Sequence, residues 1–361
     1  MEKTTLIIPA AGKSSRFPGT RPKWMLTHPS GCMMLNASIK KFSLVNVDKI
    51  VVVVLNEHLE ENNITKSDIV KSFLDARIEK PVDVVVLENE TKSQPETVYK
   101  AIKHAKISGS CFIKDSDNTF EYTPIPENEV VFHDLNKCGL IKAHNKSYVS
   151  LDSNMIIDGI VEKKIVSPYF CVGGYSFKNT KDFCEAFEKL SDKKDLFVSH
   201  LIFDRILSGL IFLGGEINNP TSFHDWGTLE DWNRYRSSYG TLFLDLDGVL
   251  VKNSGRYVGK KWGSTGTIEE NVESIRNLYQ SGKLKIVITT SRSEDAREKT
   301  IRQLEENDIP YDHIIFDLPH AKRIVVNDYA SSNVYRTCDA INIKRNSSNL
   351  KEMISGLLRC E

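Results

Sequence analysis

At 361 residues the chain is longer than one hydrophobic core usually serves, so two domains are expected. Hydrophobic residues make up 40% and charged residues 27%, the proportions of a folded globular protein, which excludes a disordered or fibrous chain. Lys plus Arg equal Asp plus Glu at 48 each, so no net field draws the chain to nucleic acid or to an anionic membrane surface, while a small anion held by local charge stays open.

The seven cysteines form no CxxC pair and are odd in number, which argues against a zinc site and a disulfide framework and points to a reducing cytoplasm. The opening MEKTTLIIPAAG meets a glycine turn without the length or cleavage site of a signal peptide. No stretch approaches 18 apolar residues, so neither export nor membrane insertion is expected.

In chain order, β-branched or apolar runs at 4–10, 49–55, 82–88 and 109–115 predict strands. Segments of helical length lie between them, such as Cys32 to Phe42 and Glu96 to Lys106. Strands buried on both faces and alternating with helices imply a mostly parallel α/β sheet. A second series begins at Thr241, with strand runs at 241–247, 285–290, 313–318 and 323–328 and helices over Glu269–Ser281 and Glu294–Asn307. The fold class is therefore two tandem α/β domains, 1–236 and 237–361. They join in LEDWNRYRSSYG (229–240), which reads as a terminal helix followed by a Ser-Ser-Tyr-Gly connector.

In the first series, IIPAAGKSSRF followed by RPKWML sets a small-residue loop after a strand and then spaces Lys13, Arg16, Arg21 and Lys23 along it. Amides of such a loop can cradle phosphates and the cations can neutralise a triphosphate, although the GK[ST] ending of an ATPase loop is missing. FIKDSDNTF ends a strand in Asp115 and Asp117, FHDWGTLEDW sets Asp225 ahead of Gly-Thr, and VEKK (161–164) precedes CVGGYSF (171–177). Over about residues 3–232 these segments resemble the nucleotidyltransferases that activate phosphosugars and related esters. Their pattern G-x-[GS]-[ST]-R with a following P-K is filled by Gly12, Ser14, Ser15, Arg16, Pro22 and Lys23. Ser14 stands where glycine is commoner.

The resemblance implies a GT-A or Rossmann-like mixed sheet and the conversion of an NTP and a phosphorylated sugar or polyol to an activated product and pyrophosphate. It places Ala11, Gly12, Ser14 and Ser15 along the nucleotide and Arg16 and Lys23 on the triphosphate. Asp117 and Asp225 would hold magnesium, with Asp115 less clearly placed. Gln94 would read base or ribose, Glu162 a sugar hydroxyl and Lys163 the acceptor phosphate, with Gly174 permitting close approach. A pyrimidine nucleotide is implied, CTP marginally ahead of UTP. A competing reading takes Asp115-Ser116-Asp117 as the DxD of a glycosyltransferase, which has no need of Arg16 and Pro22-Lys23.

In the second series, TLFLDLDGVL puts Asp245 and Asp247 at a strand's C-terminal edge, where open α/β sheets bind ligands. Phosphoryl transfer to an aspartate needs a carboxylate nucleophile, a charge-neutralising cation and a nearby acid. Thr290-Ser291-Arg292 offers hydroxyls to a phosphate, Lys322 a cation, and Asp328 a further carboxylate.

Over about residues 241–335 these four elements resemble the haloacid dehalogenase (HAD) superfamily. The resemblance implies Asp245 as nucleophile and metal ligand, Asp247 as acid/base with its carbonyl on the metal, and Thr290, Ser291 and Lys322 as phosphate binders. Thr289 competes for the hydroxyl role, Asp328 completes a magnesium site, and Asn327 replaces a frequent second carboxylate. The intervals between motifs are consumed by core elements, which implies a capless Rossmannoid with an open site. Such a site would either accept a bulky phosphate ester or borrow cover from the other domain or from a second subunit in a homo-oligomer.

Together the resemblances imply a bifunctional enzyme with one magnesium in each domain, serving precursor supply for a bacterial capsule or lipopolysaccharide. In the alternative, one domain is a binding or assembly module.

Overall fold

The computed structural model describes residues 4–138, 142–259, 261–328 and 337–357. Two compact units divide between Trp232 and Asn233.

In the N-terminal unit, apolar runs become the central strands β1 (Thr4–Pro9), β2 (Val47–Leu55), β3 (Val82–Leu87) and β4 (Ser110–Lys114). They pair in parallel, β4 with β1, β1 with β2 and β2 with β3. The period of two along β2 is visible in its burial. Val51, Val53 and Leu55 join one core with Val98, Ala101 and Phe183, while Ile50, Val52 and Val54 join another with Trp24, Leu35 and Phe73. Both faces are therefore covered, as an all-apolar strand demands.

Helix α1 (Met34–Ile39) lies ahead of β2, α2 (Asn56–Glu61) and α3 (Lys66–Asp75) lie between β2 and β3, and α4 (Gln94–His104) leads to β4. Thr65 and Asp68 form a reciprocal cap at α3, and Ser93 accepts the Glu96 N–H at α4, where Pro95 supplies preset φ in the first turn.

Past β4 the sheet stops being parallel. The strands β5 (Asn118–Thr119), β6 (Glu129–Asp134), β7 (Ser147–Leu151), β8 (Ile157–Glu162) and β9 (Tyr169–Phe177) precede α5 (Thr180–Leu190), α6 (Val198–Leu207) and β10 (Leu213–Glu216). Strand β9 runs antiparallel between β4 and β6. Among the described residues the sheet has nine strands, in the order β10-β6-β9-β4-β1-β2-β3 with the β7–β8 hairpin branching from β9. The short β11 (His224–Asp225) pairs antiparallel with β5, and α7 (Leu229–Ser237) spans the division between the units.

The C-terminal unit holds a parallel sheet of β12 (Gly240–Asp245), β13 (Leu284–Thr289) and β14 (His313–Ile315). Helices α8 (Glu269–Gln280), α9 (Arg297–Glu306) and α10 (Leu350–Ser355) complete it. Its core gathers Leu244, Leu246, Val272, Ile286, Ile288, Leu304 and Ile354.

Two sequence expectations are corrected here. The third strand ends at Ile315, three residues early, and Asp317 just beyond it takes a left-handed backbone with φ 57°. The run RIVVND at 323–328 is no strand: it is irregular, with Val326 89% exposed, and no strand among the described residues pairs with it. Composition signals a strand but not the partner that a strand requires. Among the described residues no helix is long and apolar enough to cross a membrane.

Candidate functional site

The N-terminal site is assembled at the C-terminal ends of β1 and β4. Directly after β1 the chain turns through Ser14, whose φ of 52° is the left-handed conformation that glycine adopts freely. A glycine there would lose a bond, since Ser14 Oγ accepts the Lys23 backbone N–H at 3.0 Å and ties the two halves of the loop. Ala11 is buried, while Gly12, Ser15 and Arg16 are exposed. Lys23 Nζ reaches Asp117 Oδ2 at 2.5 Å, and Arg16 stands 3.7 Å from the same oxygen.

Asp117 follows β4, and the β5–β11 pair brings Asp225 opposite Asn118, its neighbour. The Trp226 N–H donates to the Asp117 carbonyl at 2.8 Å, and the Gly227 N–H donates to Asp225 Oδ1 at 3.0 Å. The absent side chain of Gly227 leaves a cradle. A Cβ there would lie 3.1 Å from Asp225 Oδ1, 3.5 Å from an Arg16 nitrogen and 3.6 Å from Asp117 Oδ2.

This cradle fits a divalent cation. Magnesium is usually held by one or two carboxylates plus substrate phosphates rather than by an all-protein cage.

Charge in the site is balanced by cations of the chain itself. Asp225 Oδ2 pairs with Lys146 at 2.5 Å. Burial would raise the Asp117 carboxyl, but Lys23, Arg16 and Lys146 outweigh it and hold it well below the usual carboxylate range. Beneath them Lys114 is fully buried. Its ammonium donates to the Asp115 carbonyl at 2.8 Å, the Asn118 carbonyl at 3.0 Å and the Asn118 side chain, and it lies 4.5 Å over the Phe120 ring. Burial pushes this lysine down. Burial and the Asp117 charge push Asp115 up.

Several expected ligand contacts are occupied within the fold. Gln94 spends its amide on Asp115 Oδ1 at 2.5 Å. Glu162 Oε2 accepts from the Ser147 and Ser199 hydroxyls. Lys163 is exposed, with φ 54° and its ammonium 4.4 Å over the Phe197 ring. Gly174 does not open a path for ligand: a Cβ there would press on Phe112 and Phe120 at 3.0 Å, so the glycine serves the core. Gly173, at φ 82°, lies against the acidic segment: a Cβ there would meet Asp115 Cγ at 2.7 Å and Asn118 Nδ2 at 2.8 Å.

In the C-terminal unit Asp245 ends β12 in register with Thr289 on β13, and Asp247 lies past the strand end. Burial raises the Asp245 carboxyl, with Arg323 opposing. Arg323 stands 3.2 Å from Asp245 Oδ1, and both it and its neighbour Lys322, the expected cation, are exposed.

Asp247, expected as the acid/base, has both oxygens engaged by Arg292, at 2.8 and 2.9 Å, and Oδ1 also accepts from Ser254 at 2.9 Å. Thr290 is buried, its hydroxyl accepting the Arg292 N–H at 3.1 Å. Thr289 donates to the Leu244 carbonyl at 3.2 Å, and the half-buried Ser291 lies within 3.4 Å of the Pro319 carbonyl.

Asp328 is exposed and forms no metal-holding group with Asp245 and Asp247, because the 323–328 segment does not lie down as a strand beside them. The residues of this unit as placed do not fit the expected magnesium.

Sequence reasoning missed Lys114, Lys146, Gly173, Gly227, Arg292 as a partner of Asp247, and Arg323. All but Lys146 stand inside segments singled out above: Lys114 before the acidic pair, Gly173 as the first of the glycine pair, Gly227 after Asp225, Arg292 after Thr290-Ser291 and Arg323 at the head of RIVVND.

No family model and no curated protein matches the chain. Solved structures do. A nucleoside-diphosphate-sugar pyrophosphorylase from Vibrio cholerae RC9 is 19% identical with a TM-score of 0.54, and 64% of this chain covers 98% of that one. An inositol-1-phosphate CTP transferase from T. maritima is 17% identical with a TM-score of 0.51, covering 64% of this chain and 92% of its own. These likenesses establish a fold: the N-terminal part is built on the mixed α/β sheet of the nucleotidyltransferases it resembles.

Proposed function

We propose that the N-terminal unit transfers a nucleotidyl group from an NTP, CTP or UTP first, to a phosphorylated sugar or polyol and releases pyrophosphate. One observation carries this reading. Asp117 and Asp225, far apart in sequence, meet around the Gly227 cradle with Arg16 and Lys23 at the same carboxylate. The structural neighbours named a nucleoside-diphosphate-sugar pyrophosphorylase and a CTP transferase support it.

In this reading the acceptor phosphate, held by Lys163, attacks the α-phosphorus in line, and pyrophosphate departs against Arg16 and Lys23. Catalysis is then positioning and electrostatics. Magnesium in the cradle, held by Asp117 and Asp225, would neutralise phosphate charge. The glycosyltransferase alternative is disfavoured because it has no need of Arg16 and Lys23, which both stand at Asp117.

The second half of the proposal is that the C-terminal unit hydrolyses a phosphate monoester of the same precursor route through Asp245. The exposed edge of Asp245, beside Arg323 and the 290–292 loop, supports it. No step is assigned to a metal there.

Purified full-length protein with magnesium, each NTP and a set of phosphorylated sugars and alcohols should release pyrophosphate, and a chromogenic phosphate ester should release inorganic phosphate. Lys23→Ala should abolish the first activity and spare the second, and Asp245→Asn the reverse. Silence across the whole NTP panel would sink the transferase reading.

A further inference from the structure

Two lysines occupy the oxygens that a cation would need. Lys23 sits on Asp117 and Lys146 on Asp225, each at 2.5 Å, with side-chain exposures of only 20% and 17%. A cation arriving alone must push both ammonium groups off their carboxylates and leave them largely desolvated with no counter-charge, which is costly. A cation arriving on a triphosphate brings the anionic oxygens that can receive them, and a lysine's flexible stem lets the charge move without rebuilding the loop. Lys146 is well placed for such a transfer. Its carbonyl accepts the Lys163 N–H at 3.0 Å, so it joins the Asp225 carboxylate to the expected acceptor lysine.

Resting on the transferase reading, we propose that Lys23 and Lys146 are built-in counter-ions that refuse a lone divalent cation and hand Asp117 and Asp225 to a cation carried by the nucleotide. Cation and NTP then bind as one unit, and Lys146 is a positioning residue of the site.

Manganese titration of the full chain, followed by the electron paramagnetic resonance signal of the free ion and corrected by the same titration of nucleotide without protein, tests this. Wild type should bind manganese at least about tenfold more weakly alone than with CTP or UTP, and by linkage manganese should tighten the nucleotide by the same factor. Lys23→Met and Lys146→Met should each gain about tenfold in affinity for manganese alone, Lys146→Arg should not, and adding Asp225→Asn to Lys146→Met should erase the gain.

Equal binding of manganese to wild type with and without nucleotide overturns the proposal, and so does a Lys146→Met protein with wild-type affinity. The wild-type titrations stand even if a variant fails to fold. Failure of the transferase reading shows separately, as absent pyrophosphate release by the same wild-type preparation.

Discussion

Arg292 grips Asp247 with a two-pronged fork, Nε on Oδ2 at 2.8 Å and a terminal nitrogen on Oδ1 at 2.9 Å, while its remaining terminal nitrogen donates to Thr300 and Gln303. The arginine side chain has no exposure to solvent. Asp247 can pass a proton to a leaving group only after this fork opens.

Removing one partner of a buried pair leaves the other charge stranded, so Arg292→Met should cost about 3–5 kcal/mol. Lysine lacks the fork and should rescue only part. Urea unfolding followed in the C-terminal unit would check it, and a loss under about 1 kcal/mol would contradict the geometry.

Ser14→Gly relieves a left-handed serine but removes the acceptor for the Lys23 N–H. Backbone relief and hydrogen-bond loss are each about 1 kcal/mol and nearly cancel in stability. The loop tie is lost regardless, so KM for the NTP should rise about three- to tenfold with little change in melting temperature. Ser14→Ala keeps the strain, loses the bond and should be worse in both measurements.

Tyr122 donates to Glu129 Oε1 at 2.5 Å in the core, while Oε2 finds no hydrogen-bond partner among the described residues. Burial raises this carboxyl from 4.5 to about 7. Folded Glu129 therefore keeps its proton more tightly than in the unfolded chain. Its stabilising share is complete below pH 4.5 and is lost as pH rises through about 7. Wild type should lose on the order of 3 kcal/mol between these limits relative to Glu129→Gln. Parallel pH dependence of the two proteins in urea titrations would show the group to be unperturbed.

Arg323, not Lys322, touches Asp245. Phosphate release should fall at least about tenfold in Arg323→Ala and change less than about threefold in Lys322→Ala. The opposite ranking in kcat/KM would return the role to Lys322.

The run KIVVVVL is legible as a buried strand because Val51–Leu55 are covered on both faces, and the same holds for the strand Ser110–Lys114 that leads to Asp115, whereas the strand that ends in Asp245 leaves Phe243 exposed. Residues 119–160 were not legible: β6 and β7 take their neighbours from β9, later in the chain, and no local pattern names a partner.

Residue types at the site were legible where chemistry restricts them, as with Asp117, Asp225 and Lys23. Their partners were not. Arg292 acquires its role from a carboxylate 45 positions away, and the choice between Gly173 and Gly174 depends on a φ angle. RIVVND shows the converse, a strong local signal with no ladder to join among the described residues.

The two-residue ladder between Asn118 and Asp225 also sets a schedule. A chain leaving the ribosome can lay down β1 to β4 and bury much of their core before Asp225 exists, since domains fold from the N-terminus as they are made. The cradle closes only when nearly the whole N-terminal unit has been translated. A truncated product can therefore be well folded in its sheet and still lack the cradle.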